Sequence, residues 1–461
     1  MNVKVRMYRS GGLGDCFLLT FSQPTGLERY ILIDCGVFFG TPNARQRMRQ
    51  IAQNIFEVTK GEIEILVATH EHWDHLSGFS FAQDIFEQIN IKEVWVAWTE
   101  DKQNPLARKL KTERNQAFAA LHSAATQLQA AGDPRADEII EVLSFSGPLG
   151  TNGEIGTAEQ IALVQTFGEV KYCRPGQPSL GLADFPGLRI YVLGPPEDET
   201  LIQKSKPRKG QVYEKDLAAA NNFYGDEYSQ FYAATSSESE NLEEPFHKRF
   251  KIPLSEAGQH REYGAFFKEK YGFGSEQNQG PAWRRINSDW LRIADQLSLN
   301  LDNNTNNTSL VLAFELAEDK VLLFPGDAQV GNWLSWEKLS WKEENRTITG
   351  TDLIKRTVLY KVGHHGSHNA TLSVKGLELM EREELVALIP VDESQAKNKR
   401  WAMPFLPLYA RLQDKTQGRI LRADTGILDR PDFISQARWQ AFLDRVQEDE
   451  SNEDLWLELS I

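Results

Sequence analysis

The sequence predicts a layered α/β fold in which sheets are covered by helices on their outer faces. Short apolar runs of strand length alternate with amphipathic stretches of helical period across both halves of the 461-residue chain. Several of these runs stop at Gly, Pro or Asp, the residues that turn a chain out of a sheet. No internal repeat of fixed period points elsewhere.

In chain order, CFLLTF (16–21) and YILIDCG (30–36) are expected as a strand pair joined by a Pro/Gly turn at 24–26. EILVATH (64–70) is a buried strand running straight into a group of histidines, with a helix expected from Leu76 onward. IKEVWVAW (91–98) is another strand. Ala and Leu at helical spacing predict one or two helices over 104–131, and RIYVLGPP (189–196) is a strand stopped by a double proline. Between about 200 and 280 the texture changes to a basic, proline-containing run (204–209) and a polar, acidic one (236–244). This region is expected as an insertion within a single domain spanning 1–461. WRRINSDWLRIADQL (283–297) reads as helix, and SLVLAFEL (309–316) with KVLLFPGD (320–327) as a hairpin. VLYKVGHH (358–365), VALIPVD (386–392) and GRILRAD (418–424) follow as strands, with a helix over 404–413. A helix at 432–446 closes a C-terminal helical extension, 428–461.

Composition narrows the function. No stretch approaches the ~18 apolar residues that span a bilayer, and the N-terminus lacks the apolar core of a signal peptide, so no membrane association and a cytoplasmic location are expected. Three scattered cysteines, Cys16, Cys35 and Cys173, are too few for a disulfide framework or a thiolate metal site. Lys and Arg total 51 against 65 Asp and Glu, a net charge of −14, which argues against a broad basic surface for coating nucleic acid. A local positive groove or a bound dication is compatible with that total.

Six of the nine histidines fall in two clusters, His70/His72/His75 and His364/His365/His368. The first is T-H-E-H-W-D-H (69–75), at the end of a buried strand. In a turn there, alternate residues point into one pocket, so His70 and His72 can grip one metal while Asp74 and His75 project to a neighbouring position. Imidazole and carboxylate together suit Zn²⁺, Mn²⁺ or Fe²⁺ with open positions for water. The plainer reading is a polar helix N-terminus with Asp74 as its cap, but three histidines leaving an apolar strand weigh against it.

The pattern His-x-His-x-Asp-His resembles the signature of the metallo-β-lactamase superfamily, and other segments match in the same order. Asp34, ending YILIDCG, stands where that superfamily has an aspartate buttressing the metal loop. Asp327 in LLFPGDA resembles its bridging aspartate, and the pair in YKVGHHGSH its late histidine. Within the superfamily the likeness is to the hydrolase domain of the competence protein ComEC and its free-standing relatives. It is carried by G-L-G-D-C (12–16), N-N-T-S-L-V (306–311), L-L-F-P-G-D-A (322–328) and K-V-G-H-H-G-S (361–367). It covers roughly residues 3–427.

The resemblance implies a four-layer αββα sandwich with a large insertion, and a centre of two divalent ions, zinc or manganese, ~3.5–4 Å apart that activates water for hydrolysis. It implies His70, His72, Asp74, His75, Asp327 and His365 as ligands. His364 then faces the substrate as hydrogen-bond donor or proton source, with the opposite assignment of the pair left open. Asp74, His364 and Asp327 are the expected catalytic groups. Asp34, Asp15, Asn306, Ser309, Lys361, Ser367 and His368 are expected around them. Asp15 is as well explained as a turn former, and His368 as exposed. Trp333 and Trp336 are expected to pack a helix.

Two departures stand out. The histidine that many relatives carry between the first cluster and the bridging aspartate has only His122, His247 and His260 as candidates here, none in a familiar context. After HHGS, relatives carry Gly-His-Pro where this chain has Trp401-Ala402-Met403-Pro404. The expected function is a phosphodiesterase, foremost a nuclease. The alternatives are hydrolysis of a small ester, lactone or phosphorylated metabolite, or a partner-activated effector of a bacterial defence system that meets its partner through the 200–280 insertion.

Overall fold

The computed structural model describes residues 1–130, 135–146, 156–205, 207, 210–213, 252, 254–271, 293–343, 346–451 and 453–461. Most of the expected insertion, including the acidic run 236–244, His247 and part of the basic run 204–209, lies outside the described residues.

Seventeen strands are described. In the first half they are β1 (Asn2–Tyr8), β2 (Cys16–Ser22), β3 (Glu28–Cys35), β4 (Glu62–Ala68), β5 (Asn90–Ala97), β6 (Glu169–Cys173) and β7 (Arg189–Gly194). Then come β8 (Val311–Glu315), β9 (Val321–Phe324), β10 (Ser340–Glu343), β11 (Arg346–Thr349), β12 (Thr357–Lys361) and β13 (Val386–Ile389). The chain ends with β14 (Ile420–Arg422), β15 (Gly426–Ile427), β16 (Val446–Glu448) and β17 (Trp456–Ser460). They form an eight-stranded sheet ordered β16-β17-β1-β2-β3-β4-β5-β6 and a seven-stranded sheet ordered β15-β14-β13-β12-β9-β8-β7, with β10-β11 as a separate pair. Both large sheets are mixed: β2–β3 and β8–β9 are the expected antiparallel hairpins, whereas β3–β4–β5–β6 and β9–β12–β13–β14 run parallel.

The pleat assigns each apolar run to two cores. Phe17 and Leu19 of β2, Ile31 and Ile33 of β3, and Leu322 and Phe324 of β9 share one cluster drawn from both sheets, with Phe17 and Phe324 edge to face at 5.6 Å. Their alternates diverge. Leu18 and Leu32 join the helices Ala44–Thr59 and Trp73–Phe81. Val321 and Leu323 join Trp333, Trp336 and Leu408. Both tryptophans therefore pack as expected. Runs that are apolar at every position, such as 321–324, need both faces covered, and they have it.

Three expectations are corrected. The chain is not one compact unit. Met1–Lys111, Ser144–Ala219 and Asp302–Ile461 form the first, and Thr112–Leu143 with Ala220–Leu301 the second. In the second unit Leu121, Ala124 and Leu128 cluster with Ile139, Leu297 and Leu301. The Ala/Leu stripe of the helix Pro105–Ala130 thus has its own core. The C-terminal extension is not helical throughout. After the helix Gln436–Leu443 it returns as β16 and β17, and β17 pairs with β1. Leu457 and Leu459 alternate with Glu458 and enter the inter-sheet cluster, which outweighs helical propensity in so short a segment. The helix after the histidines begins at Trp73, three residues before Leu76. No helix among the described residues is long and apolar enough to cross a membrane.

Candidate metal centre

All six expected ligands lie in the first unit, in the loop after β4 and the first turn of the helix it enters, and in the loops after β9 and β12. β4 ends at Ala68, and the chain enters the helix Trp73–Phe81 through an extended His72. No side chain caps that helix, so Asp74 is not its cap; its Oδ2 instead lies 2.9 Å from His365 Nε2. The loop after β3 packs directly against this turn. A Cβ on Gly36 would fall 2.4 Å from the Asp74 carbonyl carbon, which is why only glycine fits there. Asp15 N–H donates to the Asp74 carbonyl at 3.0 Å, fixing the same turn from the other side.

Asp327 follows β9 through Gly326, whose φ of +56° is costly for any residue with a side chain. The Asp327 N–H donates to Ser309 Oγ at 3.1 Å. Its Oδ1 accepts from Lys361 Nζ at 3.0 Å and from the His364 N–H at 2.9 Å. One oxygen is thus bound by the protein, and Oδ2 is left 3.2 Å from His75 Nε2. β12 lies beside β9 in the sheet, so the loop after Lys361 delivers the late pair to the same place. His364 and His365 both adopt left-handed backbone, φ 45° and 52°, as does Asp34 at 56°. Such strain gathers where side chains must be aimed.

Four of the five histidines share one layout: one ring nitrogen meets an outer partner and the other faces inward. His75 Nδ1 lies 2.8 Å from Asp34 Oδ2, and His365 Nδ1 2.6 Å from the Pro390 carbonyl. His70 Nδ1 lies 3.0 Å from Thr69 Oγ1, which donates its own proton to Asp34. His364 Nδ1 lies 3.1 Å from Ser367 Oγ, which donates to Asn369. Since those hydroxyls give their protons away, they accept from the ring N–H, leaving the Nε2 lone pairs of His70 and His364 turned inward. His70 Nε2 stands 3.1 Å from His72 Nδ1.

Burial and charge divide the set. Burial holds His70, His72 and His364 below the usual imidazole value, the latter two at about 4, so they are neutral. Burial opposes a charge on His75 as well, yet Asp327, Asp15, Asp34 and Asp74 outweigh it and raise His75 well above that value. Lys361 is raised in the same way by Asp15 and Asp327. Asp15 is therefore part of the centre and not merely a turn former. It pairs with Lys361 and lies 3.8 Å from His75 Nδ1.

These residues fit a cation-binding centre. Asp74 Oδ1, His75 Nε2, Asp327 Oδ2 and His364 Nε2 are buried without a hydrogen-bond partner, a costly state that a bound cation relieves. Two triads have ligand atoms close enough for one ion each: His70, His75 and Asp327, and Asp74, Asp327 and His365. Asp327 is common to both. A third grouping, Asp15, Asp34 and His75, is already engaged through Lys361, Thr69 and the His75 ring itself. No protein-family model matches the chain, and no curated protein matches it.

Not every expected residue sits as expected. His72 belongs to neither triad, and His75 groups with His70 although its Nε2 is also 3.8 Å from Asp74 Oδ2. Ser309 and Ser367 are at the centre through Asp327 and His364. Asn306 is buried beside Asp302, whereas His368 is exposed against Phe405 and takes no part. His122 and His260 belong to the second unit. Two features escaped the sequence reading. Asp302, inside a polar DNNTNNTS run, lies 3.7 Å from His72 Nε2. Phe145 lies 5.8 Å from the His72 ring and 6.0 Å from His364, stacked on Trp401 at 5.1 Å. The segment that replaces Gly-His-Pro thus contributes an aromatic wall. Neither residue belongs to a recognisable spacing, so only the fold could reveal them.

Proposed function

We propose that this chain is a metal-dependent hydrolase with the four-layer αββα sandwich of the metallo-β-lactamase fold, acting on phosphodiesters as a nuclease. One observation carries the metal reading: two buried ligand triads share Asp327, and Asp74 Oδ1, His75 Nε2 and Asp327 Oδ2 among them have no hydrogen-bond partner. His70, His75 and Asp327 would hold one ion beside His72; Asp74, Asp327 and His365 would hold the other. Such ions supply a Lewis acid and make bound water acidic enough to serve as nucleophile near neutral pH. Lys361 keeps Asp327 ionised and fixed by occupying its Oδ1. His364, neutral and with Nε2 inward, is placed to accept a proton or to contact substrate oxygen. The phosphodiester assignment rests on the H-H-G-S and G-L-G-D-C likeness to the ComEC-type hydrolases.

A second reading is favoured by one feature. His364 and Asp327 are at most 5% exposed, and Phe145 lies over the histidines, a seclusion that suits a small ester or phosphorylated metabolite better than a duplex. Metal analysis of the purified chain, with hydrolysis of bis-p-nitrophenyl phosphate and of single- and double-stranded DNA and RNA, separates them. An Asp74→Ala/His75→Ala variant is the control. Metal-dependent cleavage of nucleic acid, lost in the variant, supports the nuclease. Cleavage of the small ester alone moves the substrate to the second reading, and absence of metal after reconstitution overturns both.

A further inference from the structure

Asp302 is a buried carboxylate lacking half of its partners. It sits in the last turns of the helix Ile293–Asn306, with its side chain 10% exposed. Asn306, one turn on, donates Nδ2–H to Asp302 Oδ2 at 3.2 Å. The other oxygen, Oδ1, is buried with no hydrogen-bond partner and points at His72, 3.7 Å from Nε2.

His70, His75, His364 and His365 each have an acceptor within 3.1 Å behind the outward ring nitrogen. His72 repeats the layout, with Nδ1 toward His70 and Nε2 toward Asp302, but Asp302 Oδ1 stands beyond hydrogen-bond reach and the Asn306 side chain also bears on the ring. We propose that Asp302 is a positioning residue for His72. By accepting a hydrogen bond from Nε2–H it fixes the tautomer in which Nδ1 carries the lone pair offered beside His70 Nε2. This rests on the metal-dependent reading above. Asp302 acts from behind the ring and does not replace the absent middle histidine, because an ion held by His70 Nε2 that also took His72 Nδ1 would lie on the opposite ring edge. A carboxylate behind a ligating imidazole raises its basicity and holds its plane, and losing it weakens metal binding by roughly 10–100-fold.

The test is a chelator-competition titration of the full chain with Zn²⁺, comparing wild type, Asp302→Ala and Asp302→Asn, with thermal unfolding of each metal-free form. The expected result is that Asp302→Ala keeps the wild-type stoichiometry but binds one equivalent about 10–100-fold more weakly. Asp302→Asn, whose Oδ1 still accepts, recovers most of that loss. Metal-free Asp302→Ala loses only the acceptor of the Asn306 Nδ2–H, so its unfolding temperature falls little. Unchanged affinity in Asp302→Ala overturns the proposal. So does loss of a whole equivalent in both variants, which makes Asp302 a direct ligand, or early unfolding with normal affinity, which makes it merely structural. A wild-type chain that binds no Zn²⁺ at all removes the metal reading itself, an outcome distinct from any difference among the variants.

Discussion

Asp34 holds His75 from behind: Oδ2 lies 2.8 Å from His75 Nδ1, while Oδ1 and Oδ2 also accept from the Thr69 N–H and Oγ1–H at 2.8 and 2.7 Å. One side chain thus ties the end of β3 to the turn after β4, and it does so from left-handed backbone. The carboxylate fixes a tautomer and a loop together, so its removal is felt twice.

Asp34→Ala is therefore expected to weaken Zn²⁺ binding by about 10–100-fold through the misplaced His75. It should also destabilise the metal-free protein by about 1–3 kcal/mol through the unpaired Thr69 N–H. Chelator competition and urea unfolding measure the two separately. A variant with normal affinity would show that His75 is aimed by packing alone.

Lys361 is the charge on which two aspartates depend. It pairs with Asp15 and donates to Asp327 Oδ1 at 3.0 Å, and it is 1% exposed. Lys361→Met keeps the length and removes the charge, leaving Asp15 and Asp327 buried side by side. The expected loss is about 3–5 kcal/mol in the metal-free protein, the usual result of removing one partner of a buried pair. Saturating Zn²⁺ should restore part of it by mass action. Urea midpoints with and without Zn²⁺ test this; equal midpoints for variant and wild type without metal would refute it.

These features show how unevenly the centre was legible. The six expected ligands stand in short motifs at the ends of apolar runs, so the strands and the grouping of these side chains could be read from the sequence. Asp34 was readable as well, at the end of YILIDCG. Asp302 was not, because it belongs to no recognisable spacing and its role arises only when the Asp302–Asn306 end of its helix lies beside His72. β1 and β17 were missed for a related reason. VKVRM and WLELS alternate apolar and polar residues, but each is too short and too near a terminus to be separated from a fraying end. Asp15 could not be decided in sequence, since a turn former and a buried partner of lysine look alike after Gly-x-Gly.

Metal uptake should release protons. His75 and His365 are raised above the usual imidazole value, each against the cost of burial, by the carboxylates around them. Both therefore hold protons in the metal-free fold near neutral pH, and Nε2 must lose its proton to serve as a ligand. The sign follows: Zn²⁺ affinity rises with pH from 6 to 8. The stability of the metal-free protein runs the other way. A group raised on folding contributes fully below its unfolded value, ~6.5 for imidazole, and that contribution fades as pH climbs through the raised value. Calorimetric titration in two buffers of different ionisation enthalpy counts the protons. Uptake without proton release would mean the two imidazoles are already neutral.

Phe145 stands as an aromatic wall beside the histidines. Its ring lies within 6.0 Å of both His72 and His364, backed by Trp401 and by Phe38 at 4.9 Å. Truncation to alanine should cost roughly 3–5 kcal/mol of stability, as deletion of a buried phenyl does, so Phe145→Leu is the control that keeps the packing. If the wall limits the substrate, Phe145→Ala raises kcat/KM for bis-p-nitrophenyl phosphate relative to methyl p-nitrophenyl phosphate, by on the order of tenfold, and Phe145→Leu by less. An unchanged ratio in a folded, metal-loaded variant would mean that substrate approaches from another side and that the three rings serve only the core.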